Sequence, residues 1–304
     1  MTPISPPIND AHCHFFSQPF FDALGRQRPG QQSGEQVVAA LGWDAPGSAE
    51  ALADRWVDEL DRHGVRRAAL IASVPRDEES VAAAVARHPS RFAGFFMLDP
   101  TAPDAPGRVE HALHELRLHA ICLFPAMQRF SLRDASVKTV LEAAARHPGA
   151  VIFVHCGALS VGVRKKLGLP SRFDVRLGNP LDLQAVAADH PDLRFIIPHF
   201  GAGLLKEALM AADLAPNIYL DTSSSNRWLA YHPGLTLAAV FRQAIEVLGP
   251  DRLLFGTDSS FFPRGWNSAI YQMQVEALDQ AGVDEAGRRQ IFSANFDRLF
   301  PVRC

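Results

Sequence analysis

Eight short runs rich in β-branched and aromatic residues recur along the chain, each separated from the next by a longer stretch with helical spacing. The runs are Ile8 to His12, Ala68 to Ser73, Phe92 to Leu98, Ala120 to Phe124, Val151 to His155, Arg194 to His199, Ile218 to Thr222 and Arg252 to Thr257. Between them, stretches such as SVAAAVARHP and VKTVLEAAARHP repeat apolar residues at three and four positions. Such alternation implies parallel strands joined by helical crossovers, and eight of them close into a (β/α)8 TIM barrel of the α/β class. An open doubly wound sheet would carry a Gly-rich turn after its first strand, where this chain reads HCHFF. We therefore expect one domain over residues 1–304, with a long insertion after the first strand and helices at the C-terminus.

Three helical segments end in the same punctuation, His88-Pro89, His147-Pro148 and His190-Pro191. Proline stops a helix and histidine suits its C-terminus, so these histidines, and His63 before Gly64, read as structural. Cys13, Cys122, Cys156 and Cys304 show no CxxC pairing and read as thiols. A net charge of -3 offers no basic footprint for nucleic acid. No apolar run is long enough to span a membrane. MTPISPPIND lacks the features of a signal peptide, so the expected address is cytoplasmic.

In such a barrel the chemistry sits at the C-terminal strand ends. Those ends carry His12, Cys13 and His14 on strand one, His155 on strand five, His199 on strand six, Asp221 on strand seven and Asp258 on strand eight. The HxH pair is weak evidence alone in a chain with 12 His; its recurrence with His155, His199 and Asp258 at strand ends points to a shared site. Residues i and i+2 share a strand face, so His12 and His14 point inward while Cys13, and Cys156 by the same parity, point into the helix layer. His155 and Asp258 would complete an N3O set suited to one divalent cation, Zn2+ first and Mn2+ second. Asp221 reads first as the anchor of the following TSSS turn and second as a partner of a ligand imidazole. His232 receives no role.

INDAHCH, VIFVHCG, IIPHFGAG and LLFGTDSSF together resemble the amidohydrolase superfamily. More narrowly the chain is similar to the amidohydrolase-related branch that includes aminocarboxymuconate semialdehyde decarboxylase, γ-resorcylate decarboxylase and pyrone-dicarboxylate lactonase. SANFDRLF is similar to that branch's closing Asn-containing helix, and the resemblance runs from about residue 8 to residue 300. It implies His12, His14 and His155 as metal ligands, Asp258 as fourth ligand or proton carrier, and His199 as base or substrate-polarising group. Binuclear relatives hold a second metal with a strand-four lysine; here that strand reads AICLFP, and Cys122 stands in its place as a small buried residue. One metal per chain is the expectation.

Such a metal would activate water and polarise a carbonyl, which favours hydrolysis of a lactone, ester or amide with His199 as base. The alternative is nonoxidative decarboxylation of an aromatic or muconate-type acid, and a barrel that only binds a small acid ranks third. Residues 15–50, with FFSQPFF, are long enough for a lid. Arg129, Arg164 and Arg227 are candidates for holding a small anionic substrate, with Trp228 beside them; Lys165, Lys166, Arg172 and Arg176 form a basic run whose alternative is a solvated surface. Homodimerisation through helix surfaces is compatible with the composition, but no periodicity specifies an interface.

Overall fold

The computed structural model describes residues 7–302, so MTPISP and Cys304 lie outside the described residues. Eight parallel strands form one sheet in the order β1 to β8: Ile8–Phe15, Val65–Ala72, Phe92–Met97, Ala120–Leu123, Val151–Val154, Arg194–Ile197, Ile218–Asp221 and Leu253–Leu254. β8 meets β1 through a Cys13–Ser259 bridge and through Ala11 N–H to the Phe255 carbonyl at 2.8 Å and His14 N–H to the Ser259 carbonyl at 2.7 Å. These contacts bring the sheet round into a (β/α)8 barrel. The strand bounds depart from the sequence expectation most at β1, which extends to Phe15, at β2, which begins three residues earlier at Val65, and at β8, which is only two residues long before the chain turns through FGTD.

Side-chain alternation sorts the apolar residues into two layers. Ala69, Ile71, Phe95, Cys122, Phe153 and Ile196 fill the barrel interior, whereas Cys13, Leu70, Ala72, Val154 and Cys156 join the core beneath the surrounding helices. The closing helix Asn295–Leu299 plugs the N-terminal end of the barrel. Phe296 and Phe300 pack edge to face there with ring centroids 5.0 Å apart, and Phe300 lies 5.0 Å from Phe95. Asn295 fastens the plug by donating to the Pro250 and Leu253 carbonyls at 2.8 and 2.7 Å.

The insertion after β1 is folded rather than a bare loop. It holds α1 (Gln18–Arg26), α2 (Gly34–Leu41) and the start of α3 (Ala49–Arg62). α2 carries a capping box in which Ser33 and Gln36 satisfy each other's backbone N–H groups, and Gly42 ends it in the left-handed region at φ 65°. The lid has its own small apolar core, where Phe20, Phe21, Leu24, Val37 and Val38 pack against Val163, Leu167 and Leu169 of the β5 loop. α4 (Glu78–Arg87) and the later helices end where the His-Pro pairs mark them. His88 is the C-cap of α4 and bonds Asp54 at 2.7 Å, and His147 bonds Glu110 at 2.7 Å, so both are structural. Among the described residues no helix is long and apolar enough to cross a membrane.

Candidate metal centre

His12 and His14 project from the last half of β1 on the same face. His155 follows the end of β5, His199 stands two residues beyond β6, and Asp221 is the last residue of β7. Asp258 lies beyond β8 at the end of FGTD, in the left-handed region at φ 58°, and His199 sits there too at φ 59°. Non-glycine residues held in that region cost about 1–3 kcal/mol and cluster at functional sites. Convergence of the strands depends on Gly256: a Cβ there would lie 2.9 Å from His12 Cβ, 3.0 Å from Ser223 Cβ and 3.2 Å from the Asp221 carboxylate.

The imidazoles are fixed from behind. His12 Nδ1 lies 2.6 Å from Asp221 Oδ2, and a carboxylate only accepts, so a proton sits on Nδ1 and Nε2 is directed away from that carboxylate. His14 Nδ1 lies 2.8 Å from Ser73 Oγ, whose own hydrogen goes to the Ile71 carbonyl at 3.0 Å, so His14 is fixed in the same way. His199 Nδ1 faces the Ser223 carbonyl at 3.2 Å, and Ser223 Oγ lies 2.9 Å from it and 3.0 Å from His12 Nδ1. Three imidazoles thus present their Nε2 atoms away from these anchors.

Asp258 Oδ1 stands 3.2 Å from His14 Nε2 and 3.7 Å from His12 Nε2, and the three donor atoms lie within 4.8 Å of one another. Lone pairs converging at such distances need a proton or a cation between them. Donors about 2.0–2.1 Å from a tetrahedral Zn2+ would sit about 3.3 Å apart, close to the 3.2 Å pair and somewhat under the 3.7 Å one. The residues fit a divalent first-row metal. His155 lies beside His199, ring centroids 5.3 Å apart, outside that trio of ligating atoms, and its buried Nδ1 has no hydrogen-bond partner among the described residues. The cluster opens toward Asp258, whose side chain is 37% exposed, whereas that of His12 is 2% exposed.

The electrostatics follow from burial against pairing. Burial pushes the Asp258 carboxyl up, but the His14 hydrogen bond and the neighbouring imidazoles outweigh it and hold the group below the usual range. Burial depresses His12, yet Asp221 beside it raises its proton affinity on balance. Burial, then His12, pushes His199 down, and burial, then His199 and His12, pushes His155 well down, so both are neutral near pH 7.

Asp221 fills both roles read for it: Oδ2 takes the His12 proton while Oδ1 accepts the Ser223 N–H at 2.6 Å. Cys122 is a buried interior residue, and Cys13 and Cys156 are packing thiols. Arg164 directs its fork to Gln27 and the Pro170 carbonyl, both at 2.6 Å, tying the β5 loop to α1. Arg129 is exposed and reaches the Arg172 carbonyl at 3.3 Å; Arg227 is exposed on a short turn; Trp228 is buried in the outer core. None of these three arginines pairs with the cluster among the described residues.

Sequence reasoning missed several members of the site. Ser73 and Ser223 orient imidazoles from distant strands. Asp10 accepts from His12 N–H, Thr257 N–H, Thr257 Oγ1 and Trp266 Nε1 at 2.9, 3.1, 2.5 and 2.7 Å, and so ties the β8 loop to β1. Its position two residues before the HxH, in DAHCH, was the available signal.

A family model described as amidohydrolase matches residues 10–302. Among curated proteins, protein fluG of Emericella nidulans is 30% identical over 106 residues, 35% of this chain and 12% of that protein. The 2-keto-4-carboxy-3-hexenedioate hydratase of a Sphingobium species is 29% identical over 131 residues, 38% of this chain and 35% of that one. The matches therefore span about a third or less of these relatives. Among solved structures, 5-carboxyvanillate decarboxylase from Sphingomonas paucimobilis superposes with a TM-score of 0.66 at 18% identity, over 98% of this chain and 100% of the other. A probable 2-pyrone-4,6-dicarboxylic acid hydrolase from Acinetobacter baumannii gives 0.61 at 14% identity over 96% and 98%. The manganese-bound 5-carboxyvanillate decarboxylase of Novosphingobium aromaticivorans gives 0.63 at 14% identity over 98% and 97%.

Proposed function

The chain belongs to the amidohydrolase family, and from that membership we propose that it is a metal-dependent hydrolase opening a lactone, ester or amide of a small organic anion. His12, His14 and Asp258 would hold one divalent ion, Zn2+ or Mn2+, with His155 as the further ligand beside them. When bound, such an ion polarises a carbonyl and lowers the pKa of water. His199 is the base: its Nε2 takes the proton of the attacking water, the Ser223 carbonyl steadies the proton already on Nδ1, and the accepted proton is returned to the leaving group. The lid packed on the β5 loop limits water at the mouth.

Decarboxylation is the second reading, suggested by the decarboxylases among the fold neighbours. It asks an acid of the site to protonate carbon. The observation that ranks hydrolysis first is at His199: its Nδ1 faces the Ser223 carbonyl, which leaves Nε2 as the acceptor, and burial favours the neutral ring. His199 thus stands ready to accept a proton, whereas Asp258, whose proton affinity is held low, suits a cation better.

The test is product analysis with metal-replete protein, offering 2-pyrone-4,6-dicarboxylate and 5-carboxyvanillate to the wild type and to His199→Asn. We expect ring opening without CO2, falling about 10²–10⁴-fold in the variant while about one metal per chain is retained. CO2 release without ring opening would replace hydrolysis by decarboxylation. Turnover in protein stripped of all metal would remove the metal from the reaction.

A further inference from the structure

Arg264, on the loop that carries Asp258, stands apart from the arginines that are held in ion pairs. Arg66, Arg76, Arg87, Arg108 and Arg146 each pair with a carboxylate. Arg264 has no carboxylate side chain within 4.0 Å among the described residues. Its Nη2 donates only to neutral acceptors, the Asp258 carbonyl at 3.3 Å and Ser260 Oγ at 2.9 Å. Its guanidinium carbon lies 4.7 Å from the centroid of Phe261. Phe261 in turn stacks on Trp43 of the lid at 4.0 Å and 7°. Lys166 from the β5 loop approaches the same two rings at 5.4 and 5.5 Å.

Three consequences follow. The guanidinium is held in place by ring and loop, so little rotamer freedom is lost on binding. Its Nε and Nη1 donors have no partner among the described residues. Its charge stands on the Asp258 side of the cluster, which is the open side, tied there by the Nη2 hydrogen bond to the Asp258 carbonyl. A positioned guanidinium with unpartnered donors beside the cluster suits a carboxylate, which accepts a charge-assisted hydrogen bond from it.

We propose that Arg264 determines substrate choice by binding a second, non-reacting carboxylate of the substrate, so that the enzyme selects dicarboxylic over monocarboxylic compounds. This rests on the proposed function only in taking the His12–His14–Asp258 cluster as the reaction centre.

The experiment is calorimetric titration of the Mn2+-loaded chain with isophthalate and with benzoate, for the wild type, Arg264→Met and Arg264→Lys, with metal content and circular dichroism measured on each sample. Benzoate carries one carboxylate and isophthalate adds a second. The Met variant is expected to lose about tenfold or more in isophthalate affinity, as befits a lost charge-assisted hydrogen bond, while benzoate changes less than about twofold. Lys is expected to recover part of the loss. An unchanged isophthalate affinity in Arg264→Met, an equal loss for both acids, or a wild type that does not prefer isophthalate would each overturn the assignment. Isophthalate selectivity that depends on Arg264 in a chain that takes up no Mn2+ would keep the subsite and overturn the metal-dependent reading instead.

Discussion

The Asp221–His12 contact shows how one atom decides the state of a ligand. With the carboxylate 2.6 Å away, His12 keeps its proton on Nδ1 and offers Nε2. Asp221→Asn replaces an obligate acceptor by a group that can also donate, and the tautomer is no longer enforced. We expect metal affinity to fall by about 10–100-fold with the fold intact, read by competition with a chromogenic chelator. The sequence made the cluster legible because its members are histidines and aspartates at predicted strand ends. It did not make Ser223 or Ser73 legible, because serine is common in turns and their role comes from pairing across strands far apart in the chain. Arg264 was passed over for a related reason. Its loop lies beyond the last predicted strand, and the basic run after β5 drew attention although its Arg164 serves to tie two loops together.

At the scale of elements, the lid is fastened where α1 begins against the N-terminus of α4. Asp77, 2% exposed, accepts from Ser17, the N-cap of α1, and from Ser80 Oγ at 2.5 Å. Burial pushes its carboxyl up to about 6 from an ordinary 3.8, despite those hydrogen bonds. The folded state therefore holds this proton more tightly than the unfolded chain. The stabilisation is fully present below about pH 3.8 and is lost as pH rises through about 6. Asp77→Asn keeps a polar group without the titration. Denaturant unfolding at several pH values should show this part of the slope removed, a difference on the order of 2–3 kcal/mol across the window. Most strands were legible because apolar runs bounded by turns leave little choice of register. The two lid helices were not, because FFSQPFF and its Gly- and Pro-rich surroundings read as loop until the β5 loop supplies the other half of their core.

For the whole molecule, the two ends of the barrel carry separate duties. The His and Asp cluster crowds the C-terminal end, while Phe296, Phe300 and Asn295 seal the other. Phe300→Ala should cost about 3–5 kcal/mol through the cavity it leaves, with metal stoichiometry unchanged, as unfolding curves and elemental analysis on the same preparation would record. The closure itself was foreseeable from eight alternating runs, but the way a two-residue β8 meets a bulged β1 was not, since it depends on Asp10 binding the loop beyond it. The stack of Trp43 on Phe261 joins the lid to the loop of Asp258 and Arg264. The other tryptophans, Trp56, Trp228 and Trp266, are buried. The molecule thus contains its own optical probe: light emitted by Trp43 is sensitive to the separation of lid and mouth, and a Trp43→Phe variant supplies the blank against which that signal is read.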